Sequence, residues 1–408
     1  MKEITGGITA PKGFYAASHA AGIKYQGRTD MALIYSEADC ITAGTFTTNK
    51  VKAAPVIWDS RIVHNEIPVR SVVINSGIAN AATGKPGMEI CEKTASAMSA
   101  LYGGSTDSVL VASTGVIGMQ INAEKICTGC KELFDKKEDT AEAATAAAKA
   151  IMTTDTHKKE IAVEVELTDG SVIHIGAMTK GSGMIHPNMC TMLGFVTTDA
   201  CIDKHLMQKA ISAIVDDTFN MITVDGDTST NDTYVILANG MAGNPRIEKE
   251  NEDYERFYKG LHYVSENLAI QMAADGEGAT KLFECHVKNA RSISDAKVLA
   301  KSVVGSALCK AAVFGNDSNF GRFLCALGYS GISFDPEKVD LWYEAAGKTL
   351  KIVENGMGTG YDEDEATEML KNETVTVIAD MHMGSAEARA WGCDLSYDYV
   401  KINADYRS

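Results

Sequence analysis

The sequence predicts a layered fold of the α/β or α+β kind. Three observations support it: short apolar runs that end in turn residues, segments with helical spacing between them, and one clear hairpin near mid-chain. At roughly 150 residues per domain, a chain of 408 residues allows about two or three domains. Apolar residues make up 45% and charged residues 23%, with 36 Gly and only 7 Pro. Such a composition supplies a sizeable core and excludes a disordered or collagen-like chain.

The elements follow in order. Ser71-Val72-Val73-Ile74-Asn75 and Ser108-Val109-Leu110-Val111-Ala112 read as buried strands with loops at their ends. Residues 139–152 are Ala-rich without Gly or Pro and should be helical. From Glu160 to Leu167 polar and apolar residues alternate, Asp169-Gly170 supplies a tight turn, and Val172 to Ala177 returns as the second hairpin strand. Met192 to Val196 is apolar again. Helical spacing of Leu206, Ala210, Ile211, Ile214 and Val215 predicts a helix over 203–219, and another is expected over 253–274. Beyond these come a strand at 282–287, one long helix at 293–312, strands near 348–353 and 374–379, and an acidic helix near 362–371. A second domain is expected from residue 281.

Charge and cysteines narrow the function classes. Lys plus Arg total 38 and Asp plus Glu 54, for a net charge of −16, which disfavours general nucleic-acid binding. No apolar run is long enough for a bilayer, and the start, Met1 to Gly7, has no apolar signal core, so a cytoplasmic protein is expected. The ten cysteines then read as reduced thiols. Cys127 and Cys130 have CxxC spacing but no second pair or matching histidines, and are read as ordinary thiols at a helix start rather than a zinc site. Asp225, Asp227 and Asp232 could suggest a cation loop, yet the Glu of an EF-hand is missing at its spacing, so they are read as a structural turn. Phe314-Gly315-Asn316-Asp317 is open to either reading. No metal is expected.

The chemistry is concentrated between Lys180 and Ala200. Gly181 and Gly183 allow unusual backbone shapes, and Pro187 holds His186 extended, so a constrained loop presents the Thr191 hydroxyl where a strand begins. Two meanings stay open at this point: a strand-initiating threonine in a Gly-rich loop, or a nucleophile. A threonine hydroxyl needs an adjacent base, and cutting the chain before Thr191 would supply one as its own α-amine, which titrates near 8.

The segment resembles the self-processing region of the ornithine acetyltransferase family, the bifunctional glutamate N-acetyltransferases of arginine biosynthesis. The likeness spans nearly the whole chain: Phe46-Thr47-Thr48-Asn49 with Ala53-Ala54-Pro55-Val56, then Asn75 to Ala81, Ser113 to Gly118 and Ile151 to Thr156. It continues through Val224 to Asp232, Asp275 to Lys281, Trp391 to Leu395 and Tyr399 to Ser408.

The resemblance implies a multilayer α-β-β-α sandwich like that of self-processing threonine amidohydrolases, over 1–280, with a smaller C-terminal α/β domain over 281–408 whose tail reaches the site. It implies cleavage between Cys190 and Thr191, giving chains 1–190 and 191–408 that stay associated as a heterotetramer of two of each. The implied reaction moves acetyl from N-acetylornithine to glutamate by a ping-pong route through acetyl-Thr191. No cofactor is implied, while acetyl-CoA serves some members as donor. Thr114 and Gly115 match the oxyanion-hole pair. Thr154, Lys180, Thr191, Glu277, Asn403 and Ser408 match substrate contacts, with Thr153 and Thr156 close neighbours of Thr154. Lys180 would pair with a carboxylate or help keep the threonine amine neutral, and Glu277 would hold an ammonium or relay protons. His186 is assigned a structural role.

Three departures from the family pattern stand out. Cys190 replaces a usual Ala, so cleavage before Cys190 is an alternative, although Thr-Met-Leu keeps the family register. Ile78 replaces a usual Asn, and Ser408 replaces a usual Thr. An amide hydrolase of the same superfamily and an uncleaved amino-acid-binding protein are the rival functions.

Overall fold

The computed structural model describes residues 1–186 and 192–405. The chain forms two compact units, each with its own sheet. The first comprises Met1–Gly181, Pro187–Asn220 and Thr228–Ala269, the second Ser182–His186, Met221–Asp227 and Ile270–Ser408. The units divide at Ala269 and Ile270, and two short upstream segments join the second. Backbone pairing is the reason. Ile222 and Thr223 pair in parallel with Trp391 and Gly392, and the Val224 amide donates to the Ile185 carbonyl at 2.7 Å.

In chain order the first unit holds β1 (Lys2–Ile4), β2 (Phe14–His19), β3 (Met31–Phe46), α1 (Ala54–His64), β4 (Val69–Asn75) and α2 (Gly84–Ala100). Next come β5 (Val109–Ser113), α3 (Ala123–Asp135), α4 (Ala141–Ala150), β6 (Lys159–Glu166), β7 (Val172–Lys180), β8 (Leu193–Thr198) and α5 (Lys204–Asp217). Past β9 (Ile222–Thr223) of the second unit follow β10 (Thr233–Ala238) and α6 (Glu252–Ala274). The strands are ordered β1-β6-β7-β8-β10-β3-β4-β5, with β2 also on β3.

One long strand links the two layers of this unit. Met31–Tyr35 of β3 pairs with β2 and β4, the register breaks between Tyr35 and Cys40, and Ile41–Phe46 pairs antiparallel with β10. Leu193, Phe195, Val235 and Leu237 of β8 and β10 share an apolar cluster with Leu33, Ile34, Val72 and Ile74 of β3 and β4. The alternate residues Val196, Tyr234 and Ile236 are equally buried and face the other way. There the Tyr234 hydroxyl meets Ser265 of α6 at 2.6 Å, and Gln208 of α5 accepts from the Gly44 amide. Burial on both faces explains why these parallel strands read as unbroken apolar runs. Helix α1 closes the far side, its Trp58 indole donating to the Val109 carbonyl at 3.0 Å. The layers are helix, sheet, sheet, helix.

Register sets the end of the sheet that matters below. Lys159 pairs with Thr179, Lys180 with Leu193, and Leu193 with Thr233. These residues therefore lie in neighbouring rows at one end of β6, β7, β8 and β10.

The second unit carries β9, β11 (Leu282–Ala290), α7 (Ile293–Val304), α8 (Ala307–Gly315), α9 (Phe320–Gly328), β12 (Asp340–Ala345) and β13 (Lys348–Glu354). It ends with β14 (Met357–Gly358), α10 (Glu363–Leu370), β15 (Thr374–Asp380), β16 (Ala386–Cys393) and α11 (Tyr397–Ala404). Its sheet order is β14-β13-β12-β15-β11-β16-β9, with α7 packed on β11 and β16. The single helix expected over 293–312 is instead two, bent by 55°. Gly305 ends α7, and the Ser306 hydroxyl accepts from the Cys309 amide at 3.3 Å to start α8, because a serine cap satisfies amides that a continuous helix would leave to the preceding turn. Among the described residues no single helix is long and apolar enough to cross a membrane.

Candidate active site

The Thr114–Gly115 turn follows β5. The Thr114 amide donates to the Asn75 carbonyl at 3.0 Å and the Val116 amide to the Gly77 carbonyl at 3.1 Å. Ser113 donates to the Asn75 side chain at 2.7 Å, and the Asn231 amide group bridges the Ala79 and Ser113 carbonyls at 2.6 and 2.8 Å. Gly115 has φ +128°, and a Cβ there would stand 2.3 Å from the Gly77 carbonyl carbon, so only glycine fits. A tightly bonded frame thus holds the anticipated oxyanion pair.

Lys180, the last residue of β7, is brought to this turn. Only 7% exposed, it places its ammonium 2.7 Å from the Thr153 hydroxyl, 3.5 Å from the Thr114 hydroxyl and 3.6 Å from Asp155 Oδ2. Thr153 rather than Thr154 supplies the hydroxyl on Lys180, while Thr154 is half-buried. Arg28 ties the same turn by donating to the Met152 and Thr153 carbonyls. Asp155 is fully enclosed. Its Oδ1 accepts from Lys159 Nζ at 2.9 Å and from the Gly181 amide at 2.7 Å, and its Oδ2 accepts from the Thr153 amide at 3.0 Å. Burial alone would raise this carboxyl, but the ammonium groups of Lys180 and Lys159 and the amide donors outweigh it and hold the group far below the usual carboxylate range.

Asp232 directly precedes β10. It is 1% exposed, with the Ser229 and Thr47 hydroxyls and the Met192 amide beside its carboxyl. Burial pushes the carboxyl well above the usual range, against weaker pulls from the Ser229 and Thr47 hydroxyls, the Met192 amide and Lys180. Burial thus disfavours its charged form.

Cys190, Thr191 and Ser408 lie outside the described residues. The segment that follows Thr191 is pinned: the Thr233 amide donates to the Met192 carbonyl at 2.8 Å, and the Thr179 hydroxyl to the Leu193 carbonyl at 3.0 Å.

In the second unit Glu277 and Asn403 meet. Glu277 Oε2 accepts from Asn403 Nδ2 at 2.7 Å, and the Glu277 amide donates to the Ser182 carbonyl at 2.9 Å. Gly183 makes room for that carboxylate, since a Cβ there would stand 2.3 Å from Glu277 Cδ. Asp225 accepts from the Met184 and Ile185 amides at 2.6 and 2.9 Å, so it closes a structural turn. His186 Nδ1 lies 2.9 Å from the Thr223 hydroxyl. Burial, and then the nearby Lys301, lower the imidazole to about 4 against a small opposing effect of Asp227. Asn316 turns out to be a helix cap, in the left-handed region at φ 54°, with its side-chain carbonyl accepting from Lys281.

Among the described residues no group of three or more His, Cys, Asp or Glu converges as a metal site. Cys127 and Cys130 sit in the second turn of α3 rather than at its start, and both are free thiols. A cavity of about 360 Å³ at the opposite end of β8 and β10, lined by Cys201, Lys204, Asn239 and Arg246, holds none of the anticipated residues.

Asp155, Lys159, Asn75 and Asn231 were not singled out from sequence, while Thr153 was named only as a neighbour of Thr154. Asp155, Asn75 and Asn231 lie inside the quoted family segments, so the signal was present without a role attached. Lys159 carries no such signal, because it reads as the polar end of a hairpin strand.

The ArgJ family model matches residues 15–408. The arginine biosynthesis bifunctional protein ArgJ of Symbiobacterium thermophilum is 48% identical over 100% of both chains. ArgJ 1 of Clostridium acetobutylicum is 49% identical over 98% of this chain and 97% of its own. Among solved structures, ArgJ of Bacillus halodurans is 47% identical, covers 52% of this chain and 97% of its own, and superposes with a TM-score of 0.49. Ornithine acetyltransferase of Mycobacterium tuberculosis, complexed with ornithine, is 39% identical over 45% of this chain and 95% of its own, with a TM-score of 0.41.

Proposed function

Because the chain belongs to the ArgJ family, we propose that it is a glutamate N-acetyltransferase that moves acetyl from N2-acetyl-L-ornithine to L-glutamate through an acetyl-threonine at Thr191. The observation that carries the reading is the Lys180 ammonium set between the Thr114 and Thr153 hydroxyls at the Gly115 turn. A cation and a hydroxyl aimed at one point suit the oxyanion of acyl transfer.

The chemistry runs as follows. The Thr191 hydroxyl adds to the Cys190 carbonyl, the peptide shifts to an ester, and water opens it, leaving a Cys190 carboxylate and a free Thr191 α-amine. That amine then takes the hydroxyl proton as the oxygen attacks the acetyl carbonyl of the donor. Negative charge collects on the carbonyl oxygen, where Thr114, the Gly115 amide and Lys180 stabilise it. The C–N bond breaks and the proton leaves on the ornithine amine. The neutral amine of glutamate next attacks the acetyl ester, its proton returns to the Thr191 oxygen by way of the α-amine, and N-acetylglutamate departs. Thr154, Glu277, Asn403 and Ser408 are proposed substrate contacts, acetyl-CoA a second donor, and two pairs of cleaved chains the assembly.

Intact-mass measurement after brief exposure to acetylornithine tests the reading. One acetyl is expected on the 191–408 piece, and ornithine release is expected to fall when glutamate is omitted. Active material lacking a new terminus at Thr191, or releasing ornithine equally without glutamate, overturns it. On a denaturing gel the 43.6 kDa chain should give pieces of about 20 and about 23 kDa.

A further inference from the structure

Lys159 is one of the largest fully buried side chains of the protein, at 1% exposure. A lysine is rarely enclosed so completely unless paired. Its partner is Asp155, whose Oδ1 it meets at 2.9 Å, whereas Lys180 stands 3.6 Å from Oδ2, beyond hydrogen-bonding reach. The Asp155 carboxylate is therefore engaged by Lys159 and by two backbone amides, those of Thr153 and Gly181. The Gly181 amide directly follows Lys180 in the chain. Asp155 thus anchors the backbone beside Lys180 and shares its one negative charge between the two ammonium groups.

The charges around Lys180 make the consequence clear. Asp155 carries one negative charge, Lys159 and Lys180 one positive charge each. The other acid acting on Lys180, Asp232, is buried, which disfavours its charged form. Among Asp155, Lys159 and Lys180 one positive charge is left over, and the Lys180 ammonium is the one that reaches the Thr153 and Thr114 hydroxyls, at 2.7 and 3.5 Å. Without Lys159, Asp155 and Lys180 would form a neutral pair with little field beyond it.

We propose that the buried Asp155–Lys159 pair is a positioning device: Lys159 shares the carboxylate so that the group keeps a net positive charge and Lys180 carries it beside Thr114, where it stabilises the anion of acyl transfer. This rests on the acyl-transfer reading above. Asp155 and Lys159 touch no substrate in this arrangement and act through Lys180.

A double-mutant cycle tests it, with kcat and KM for acetylornithine measured per cleaved chain. Lys159→Met is expected to lower kcat about tenfold to a hundredfold with KM little changed, since Lys180 then pairs with Asp155. Lys159→Arg is expected to stay within a few-fold of the parent. Removing the carboxylate as well, in Asp155→Asn/Lys159→Met, frees Lys180 again and should recover about tenfold of the lost kcat. A merely structural pair predicts the opposite, a double variant no better than the single one, and that result overturns the proposal, as does parental kcat in Lys159→Met. Should Lys159→Met not accumulate folded, the double variant is compared with Lys180→Met. At least about tenfold higher kcat supports the proposal, and equal loss overturns it. Parental kcat in Lys180→Met would instead sink the underlying site reading.

Discussion

Glu277 and Asn403, 126 positions apart in sequence, share a hydrogen bond of 2.7 Å in the second unit. The Glu277 amide is held at the same time by the Ser182 carbonyl, so the carboxylate has one defined direction. Asn403→Leu removes the amide donor and leaves that carboxylate free to swing. If the two residues contact substrate, KM for acetylornithine should rise about tenfold while the fold is kept, a loss on the order of one charged hydrogen bond. Steady-state kinetics check this, and an unchanged KM removes Asn403 from the site.

Thr114→Val keeps the shape of the side chain and deletes the hydroxyl next to Lys180. Loss of one oxyanion donor is expected to cost about 10²–10³ in kcat. Circular dichroism should be unchanged, because the turn is held by the backbone bonds of Asn75 and Gly77 rather than by that hydroxyl. A variant with full kcat would strip Thr114 of the role.

Asp155 makes stability depend on pH. Its carboxyl is lowered in the folded protein relative to about 3.9 for a free aspartate. A lowered folded value stabilises above the unfolded value and is lost as pH falls, so the contribution is complete above about pH 5 and declines below about pH 4. Asp155→Asn should be destabilised by roughly 3–5 kcal/mol at neutral pH, the usual cost of breaking a buried pair. Urea unfolding should show the gap to the parent narrowing only in acid, and a gap that is constant down to pH 3 would contradict the assignment.

His186 gives a slope of the same sign in a higher pH window. Folding lowers its imidazole to about 4, below the free value of about 6.5, so between those limits the unfolded chain binds the extra proton. Stability should therefore rise with pH across that window, and His186→Gln should flatten the slope. Turnover of that variant is expected to stay close to parental, since a structural side chain is being replaced. An imidazole resonance titrating above pH 6 would reverse the reading.

Gly115→Ala tests the backbone frame. An added Cβ meets the Gly77 carbonyl carbon at 2.3 Å at a φ that L residues rarely adopt, so the turn must shift. A fall of several degrees in Tm together with loss of turnover is expected, and a variant with parental Tm would show that the turn has room to spare.

Period and turn chemistry in the sequence determined the β6–β7 hairpin around Asp169-Gly170, the apolar β8, the Ala-rich α4 and the acidic α10. These elements rest on contacts between near neighbours, which a local pattern records. Residue identity also marked Lys180, Thr114, Gly115, Glu277 and Asn403, because their chemistry survives in short motifs. Only the tertiary structure decided that Thr153 meets Lys180, that Lys159 and Asp155 form the enclosed pair behind it, and that Ile222–Thr223 joins the sheet of the second unit. Those facts depend on strand register and on which charges share a low-dielectric space. Both arise from contacts between distant parts of the chain, to which no local spacing responds.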